Sequence, residues 1–205
     1  MPASFETLKQ EMGACALCPD LPLGPRPIFQ LHASARILVV GQAPGRITHA
    51  KGRPFDDPSG TRLRDWMGVD RETFYGDPRI GIFPMGLCFP GTGKSGDLPP
   101  PALCAQTWRQ RVLDHLTGVE LTLVLGTYAI AWHLPELQKL SVRDAVRRAA
   151  EGARCYVLPH PSPRNNRWLK QNPWFEAEVI PRIQADVAEI LAKDASPLAE
   201  ETAQG

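Results

Sequence analysis

The chain has 205 residues, of which 43% are hydrophobic, 23 are basic and 22 are acidic, so the formal net charge is +1. This balance indicates a globular protein and does not by itself point to a polyanionic partner, although a basic face on a neutral protein can still bind phosphates. No apolar run approaches the roughly 20 residues of a membrane span, and the N-terminus lacks the apolar core of a signal peptide. We therefore expect a cytoplasmic protein that has no contact with membranes.

The first predicted element is a short amphipathic helix over residues 4–14. Ser4 is a typical helix cap, and Phe5, Leu8 and Met12 fall on one face. A Cys-x-x-Cys pair follows this helix at once. Several prolines after the pair predict an extended surface segment.

A strand is predicted at about residues 36–41, where Ile37-Leu38-Val39-Val40 forms a fully apolar run. Such runs are typical of strands that are covered on both faces of a parallel sheet. The strand leads into Gly41-Gln42-Ala43-Pro44-Gly45, whose glycines would let the backbone approach a ligand closely. Ligands of parallel sheets bind beyond the carboxyl ends of the strands, so this loop is expected to face one.

The rest of the chain alternates between strands and helices. We predict strands at residues 80–88, 121–126 and 155–159, a loop at 89–101, and helices at 59–67, 102–117, 127–134, 141–150 and 173–192. This order predicts an α/β fold, a three-layer α/β/α sandwich with a central, largely parallel four-stranded sheet. We expect one domain over residues 1–193 and an acidic, disordered tail over residues 194–205.

A second polar loop, His160-Pro161-Ser162-Pro163, follows the last predicted strand. Because carboxyl ends of parallel strands meet at one edge of a sheet, this loop is expected beside residues 41–45. Together with Gly52-Arg53-Pro54-Phe55, the two loops resemble the motifs of the uracil-DNA glycosylase superfamily. The resemblance covers nearly the whole chain from Cys15 onward and is closest to the bacterial and archaeal iron-sulfur branches.

That resemblance implies a DNA glycosylase for base excision repair, a hydrolase that flips uracil out of DNA and cleaves its N-glycosidic bond. The expected partner is DNA that contains uracil, and the expected state is a monomer. The sequence offers no lysine in a setting typical of a Schiff-base amine, which predicts a monofunctional enzyme.

Four cysteines form two pairs, Cys15 with Cys18 and Cys88 with Cys104. Four thiolates from two distant segments fit either an iron-sulfur cluster or tetrahedral zinc, and the spacing does not separate the two. The resemblance implies a 4Fe-4S cluster, with zinc as the less favoured occupant. Cys155 lies inside an apolar strand and is expected to be a buried small hydrophobe.

The resemblance also implies roles for individual residues. His160 would donate a hydrogen bond to uracil O2 as the base leaves with negative charge, an interaction directed at the transition state. Phe55 would stack on the flipped base, although a core phenylalanine would fit the sequence as well. Further base contacts are expected from Gly41, Ala43, Met85 and Ser162, and DNA contacts from Arg164, Asn165 and Arg167.

The sequence departs from the family pattern where water must be activated. Ala43 stands where the best-known branch has an aspartate, so the loop supplies no carboxylate. The nearest carboxylates are Asp56 and Asp57; Asp57 aligns with an aspartate of another iron-sulfur branch and is predicted to be catalytic, with Gln42 as the reserve. Both aspartates could instead cap the helix that begins near Ser59.

A second departure concerns recognition of the base. Pro84 stands where relatives carry the asparagine that reads the Watson-Crick edge of uracil. Backbone groups around Pro84 and Met85 are the expected substitutes. Discrimination falls when a complementary side chain is absent, so excision of other deaminated bases is compatible with this change.

Two other functions are open to a chain of this pattern. The first is an iron-sulfur protein that binds uracil or abasic DNA with little or no catalysis. The loop 90–97 contains no histidine, which disfavours covalent capture of the sugar but not slow catalysis. The second is an iron-sulfur redox sensor, which would leave His160-Pro161-Ser162 unexplained.

Overall fold

The protein was analysed as a computed structural model, which describes residues 4–94, 96–152 and 154–193. The predicted acidic tail at residues 194–205 lies outside these ranges. Helices occur at α1 (Phe5–Gly13), α2 (Arg46–Lys51), α3 (Pro58–Met67), α4 (Arg71–Gly76), α5 (Ala102–Leu113), α6 (Thr127–His133), α7 (Val142–Ala150), α8 (Asn166–Gln171) and α9 (Ile180–Ala192). Strands occur at β1 (Ile37–Val40), β2 (Ile80–Ile82), β3 (Thr92–Gly93), β4 (Gly96–Asp97), β5 (Leu121–Leu125) and β6 (Cys155–Leu158).

The main sheet has four parallel strands in the order β2-β1-β5-β6. At its centre, Val39 of β1 pairs with Ile82 on one side and with Leu123 on the other. All four residues of β1 are buried, as the unbroken apolar run predicts for a strand covered by helices on both faces. The predicted α/β fold with a central parallel sheet is therefore confirmed.

Two helices that flank the sheet are joined by both packing and hydrogen bonds. Helix α3 packs on α9, where the Gln184 side-chain amide donates to the Asp65 carbonyl at 2.9 Å. The Trp66 ring meets Phe175 edge-on at 5.1 Å between centroids. Phe175 opens the π-helical turn Phe175–Val179, so the predicted helix 173–192 is a regular α-helix only from Ile180.

The predicted strand at residues 80–88 is too long, because regular pairing ends at Ile82. Pro84 has no N–H to donate to a ladder. The segment nevertheless continues alongside the loop that follows β1: Met85 N–H donates to the Gly41 carbonyl at 2.8 Å, and Gly86 N–H donates to the Gln42 carbonyl at 2.9 Å. These hydrogen bonds join residues 85–86 to residues 41–42 of the loop that follows β1.

The predicted loop at residues 89–101 contains a small antiparallel hairpin, β3–β4, in which Thr92 pairs with Asp97. The Leu98 N–H closes it by donating to the Gly91 carbonyl at 2.8 Å. The sequence also did not predict the short helices α2, α4 and α8, and helix α5 ends four residues before the predicted boundary. Within the described ranges, no helix has both the length and the apolar character that a bilayer crossing requires.

Candidate active site

A cleft of about 660 Å³ opens at the carboxyl edge of the sheet, which is the size of a small-molecule pocket. Its walls come from the loops after β1 and β6, the residues that precede α3, and the β3–β4 hairpin. The predicted site residues on its walls are Gly41, Gln42, Ala43, Phe55, Asp57, His160, Ser162, Arg164 and Asn165. Met85 and Arg167 are not among its lining residues.

The imidazole of His160 is held in one tautomer. Its Nδ1 accepts a hydrogen bond from the Ser162 N–H at 3.2 Å. Nδ1 must be unprotonated to accept this bond, so the proton of the neutral ring resides on Nε2. His160 can therefore act as a hydrogen-bond donor without carrying a positive charge.

The surroundings of His160 favour this neutral form. Desolvation by the surrounding protein lowers the pKa of His160, and the positive charge of Arg164 lowers it further. The carboxylates of Asp57 and Asp97 act in the opposite direction but do not reverse the shift. The net result is an imidazole that remains neutral at physiological pH.

The loop that carries His160 is fixed by side chains that bind its backbone. The Asn165 amide donates to the His160 carbonyl at 2.7 Å. From α3, Arg62 Nη1 donates to the Pro161 and Ser162 carbonyls, both at 3.2 Å. Arg62 was not anticipated from the sequence, where it reads as an ordinary exposed position on a helix. The Ser162 hydroxyl accepts from the Arg164 N–H at 3.2 Å, so it stabilises this turn in addition to lining the cleft.

Phe55 has a left-handed backbone conformation with φ at 53°, which is unusual for a residue with a side chain. The ring lies across Gly41, where a Cβ would meet it at 3.7 Å. It is half-buried, because one part packs against the core and another part lines the cleft. A core contact and exposure to the cleft are therefore combined in one side chain. Strained backbone of this kind is often found where a side chain has a functional role.

The carboxylates of Asp56 and Asp57 have different partners. Asp57 caps α3, with Oδ1 accepting from the Gly60 N–H at 2.8 Å, and it also lines the cleft. Asp56 instead pairs with Arg53 and Arg71, both at 2.9 Å. The hydrogen bonds from these arginines lower the pKa of Asp56 to about 2. The prediction that Asp57 rather than Asp56 faces the chemistry remains a prediction, but only Asp57 of the two lines the cleft.

Gln42 and Met85 occupy positions that limit their predicted roles. The Gln42 side-chain N–H donates to the Leu98 carbonyl at 3.1 Å, so its amide joins the first motif to the hairpin. Met85 is only 6% exposed and lies in the core, and its N–H is bound by the Gly41 carbonyl. Its backbone N–H therefore has a partner within the protein, whereas Pro84, the other residue expected to replace the missing asparagine through its backbone, lines the cleft.

Asp97 is a cleft residue that was not predicted from the sequence. It lies on β4, lines the cleft, and is close enough to influence the titration of His160. Nothing in its local sequence distinguishes it from an ordinary acidic residue in a glycine-rich loop. Its position depends on the hairpin, which local sequence patterns do not predict.

The four predicted ligand cysteines converge on a small apolar cavity outside the cleft. Its walls contain Cys15, Cys18, Cys88 and Cys104, together with Leu17, Leu21, Pro25, Leu87, Pro101 and Trp108. In the described part of the chain, no three histidine, cysteine, aspartate or glutamate side chains approach closely enough to hold a single metal ion. The thiols thus surround a shared space without meeting at one point.

Backbone donors are already directed at two of these sulfurs. The Arg26 N–H donates to Cys88 Sγ, and the Leu87 N–H donates to Cys104 Sγ, each at 3.3 Å. A further donor, Trp108 Nε1, is buried without an acceptor among the described residues. Hydrogen bonds to ligand sulfurs are a recurring feature of metal-thiolate sites. The donor set therefore fits a group that is held by thiolates.

Arg109 is a buried arginine of helix α5. It is only 1% exposed, and its Nη2 and Nη1 donate to the Phe83 carbonyl at 2.8 and 3.3 Å. Burial lowers its pKa to about 9, and the neighbouring Cys104 acts against that shift. Within the residues that the structure covers, its Nε has no hydrogen-bond acceptor.

Comparison with known proteins supports the family assignment. The chain matches the sequence profile of the Uracil DNA glycosylase superfamily over residues 29–184. Among solved structures, it resembles the solution NMR structure of a Methanosarcina acetivorans protein that is provisionally named a uracil DNA glycosylase. The identity is 18% and the TM-score is 0.48, and the match covers 78% of this chain and 96% of the other. Since the family profile spans most of its length, the chain belongs to the uracil DNA glycosylase superfamily.

Proposed function

We propose that the protein is a monofunctional DNA glycosylase that excises uracil from DNA by hydrolysing its N-glycosidic bond. The observation that carries this proposal is the neutral imidazole of His160, with its Nδ1 bound by the Ser162 N–H and its Nε2 proton free to be donated. The superfamily membership supports the same conclusion.

The proposed reaction needs a donor where negative charge develops. As the bond between C1′ and the base breaks, both electrons leave with the base, which becomes an anion. A neutral His160 can donate its Nε2 proton in a hydrogen bond to the base oxygen that gains this charge. A neutral donor suits this step, because a charged ring would first have to be desolvated before it could form the hydrogen bond to the leaving anion.

The sugar becomes positively charged in the same step and must be attacked by water. Asp57 lies in the cleft with Oδ1 fixed by the helix cap, which orients the carboxylate and leaves Oδ2 for a water molecule. The water oxygen would bond to C1′ and lose a proton to a carboxylate, and the proton would then pass to solvent. Phe55 would hold the flipped base by stacking, a contact of about 1–3 kcal/mol for bases on aromatic rings.

Basic residues at the rim would hold the DNA backbone. Arg46 and Arg164 both line the cleft and are exposed, and Arg167 is exposed on α8 just beyond it. Contacts of this kind position the duplex without reading its sequence. Arg164 directly follows His160-Pro161-Ser162-Pro163 and would fill the gap that the flipped nucleotide leaves.

For the four-cysteine site we propose a 4Fe-4S cluster as the resident group. Four thiols from two distant segments line one cavity, and the resemblance to the iron-sulfur branches favours a cluster over a single zinc ion. A cluster bound by these residues would contribute free energy of folding by joining the segment after α1 to the start of α5. No step of base excision is assigned to it.

An excision assay on a panel of substrates tests this proposal. Purified protein is incubated with labelled oligonucleotides that contain uracil, hypoxanthine or xanthine, and alkali then converts abasic sites to strand breaks. We expect breaks at uracil with the wild type, and none with His160→Ala over the same period. If the wild type binds uracil-containing DNA but releases no base from any substrate, the protein is a binding protein and not a glycosylase.

A further inference from the structure

The hairpin β3–β4 places a carboxylate against the first motif of the cleft. A Cβ built on Gly45 would lie 3.4 Å from Asp97 Oδ2, so the carboxylate rests on a position that has no side chain. The other oxygen, Oδ1, has a long contact of 3.5 Å with the Thr92 hydroxyl. Asp97 is exposed within the cleft, and among the described residues its carboxylate accepts no hydrogen bond shorter than 3.5 Å.

The hairpin that carries this carboxylate is anchored at several points. The Gln42 amide donates to the Leu98 carbonyl at 3.1 Å, directly beside Asp97. Gly96, with φ at +143°, approaches the Arg164 guanidinium so closely that a Cβ would lie 3.0 Å from Nη1. The hydrogen bond joins the hairpin to the loop after β1, and Arg164 from the loop after β6 lies close to Gly96, so Asp97 is located between the two polar loops of the cleft.

The cleft needs such a group because its other sources of a base are limited. Ala43 in the first motif has no ionisable side chain, and Asp57 uses one of its two oxygens to cap α3. We propose that Asp97 is a second catalytic carboxylate, which orients the attacking water and accepts its proton. This inference rests on the proposed glycosylase function and deepens it.

In the proposed step, the C1′–N bond breaks and its electron pair leaves with the base. The water oxygen donates a lone pair to C1′, and its proton moves to an Asp97 oxygen and from there to solvent. The net reaction consumes one water and yields the free base and an abasic site. While it is ionised, the carboxylate also stabilises the positive charge that develops on the sugar.

A carboxylate in a DNA-binding cleft has opposite effects on affinity and on chemistry. Its negative charge repels the phosphates of bound DNA, so its removal should leave the affinity for substrate DNA unchanged or increase it. Its removal should slow the chemical step by about a hundredfold or more, the usual contribution of a positioned general base. A residue that only supports the fold would not separate the two measurements in this way.

The experiment compares Asp97→Asn, Asp97→Ala and the wild type by three measurements. These are the single-turnover rate of uracil excision, the affinity for DNA that contains a non-cleavable uracil analogue, and the thermal unfolding temperature. Asp20→Asn is the matched control, because Asp20 is exposed and lies outside the cleft. We expect both Asp97 variants to lose rate while keeping DNA affinity and melting temperature, and Asp20→Asn to match the wild type in all three.

Two results would overturn the inference while leaving the glycosylase proposal intact. One is an Asp97→Asn variant that excises uracil at the wild-type rate. The other is a variant that loses rate, affinity and thermal stability together, which would make Asp97 a support of the hairpin. If the wild type itself releases no base from any substrate, the proposed function fails and this inference fails with it.

Discussion

The Cα of Gly60 lies directly against the carbonyl oxygen of Phe55: a Cβ added to Gly60 would fall 1.6 Å from that oxygen. The N–H of the same glycine donates to Asp57 Oδ1 at 2.8 Å. One residue in the first turn of α3 therefore fixes both the ring that would stack on the base and a carboxylate of the cleft. The neighbouring atom belongs to the backbone, so it cannot rotate away from a larger side chain.

Replacing Gly60 with alanine should displace Phe55 and reduce excision. The strain should also lower the free energy of unfolding by about 1–3 kcal/mol, as overpacking in a filled site does. Gly76→Ala is the matched control, because a Cβ there meets nothing within 4 Å. Single-turnover rates and denaturant unfolding of both variants would check this. A Gly60→Ala protein with wild-type rate would show that the ring position is not important.

The rate of excision should fall on the acid side only below the ordinary pKa of histidine, about 6.5. The neutral imidazole is the active form, and desolvation lowers the pKa of His160, so protonation begins at a lower pH than in a free histidine. Arg164 contributes to this lowering, so Arg164→Gln should raise the pKa of His160 and move the acid limb toward neutral pH. Rates measured under single-turnover conditions across this range decide the matter, and a limb that moves toward lower pH in Arg164→Gln would contradict the assignment.

His160→Ala should be more severe than Asp57→Asn. Loss of a donor to a developing anion typically costs about a hundredfold to a thousandfold in rate. Asparagine and aspartate cap helices about equally well, so Asp57→Asn should retain the fold while the contribution of this carboxylate to water activation is lost. Single-turnover rates exclude product release from the comparison. If Asp57→Asn matches the wild type, water activation belongs to Asp97 alone or to backbone near Ala43.

The fold was predictable from the sequence where side-chain patterns carry the information. Strands β1, β5 and β6 are short apolar runs that end in glycine or proline, and burial on both faces requires such runs. The helix boundary at Ser4 follows from one cap residue, whose hydroxyl accepts from the Thr7 N–H. Strand 80–88 was overextended because its apolar residues contact the core even after regular pairing has ended.

DNA affinity should depend on the arginines at the rim of the cleft. Replacing Arg164 and Arg167 by alanine should weaken binding for every base, and the slope of log affinity against log salt should become shallower by about 0.9 for each phosphate that is no longer neutralised. Arg148→Ala is the matched control, because Arg148 is exposed on α7, where it pairs with Glu151 at 2.8 Å. An unchanged slope in the double variant would place both arginines away from the DNA.

The four-cysteine site can be tested by composition and colour. Protein purified without chelators should contain iron and acid-labile sulfide and show broad visible absorption, and Cys88→Ala should reduce all three together with soluble yield. Cys155→Ala is the control, because Cys155 lies in β6 and outside the four-cysteine cavity. A colourless wild type with one equivalent of zinc would replace the cluster by a zinc site.

The candidate site was only partly predictable for a reason that Asp97 illustrates. Asp97 lies on the β3–β4 hairpin, whose two-residue strands have no periodic sequence pattern. The hairpin depends on tertiary contacts such as the hydrogen bond between the Gln42 amide and the Leu98 carbonyl. Arg62 was missed because its role is to bind carbonyls of a loop about a hundred residues away in sequence, which no local pattern encodes. By contrast, His160 was found because its neighbours form a recognisable motif.

The buried guanidinium of Arg109 would make folding of the chain depend on the proposed metal centre. A positive charge in the core is costly unless a nearby negative charge balances it, and a site of four thiolates beside Cys104 would carry such a charge once it is loaded. Until it acquires metal, the newly made chain would then contain a buried positive charge that nothing balances. If the site holds the proposed iron-sulfur cluster, iron starvation should lower the number of molecules that survive folding and proteolysis, while each molecule that does fold keeps its activity.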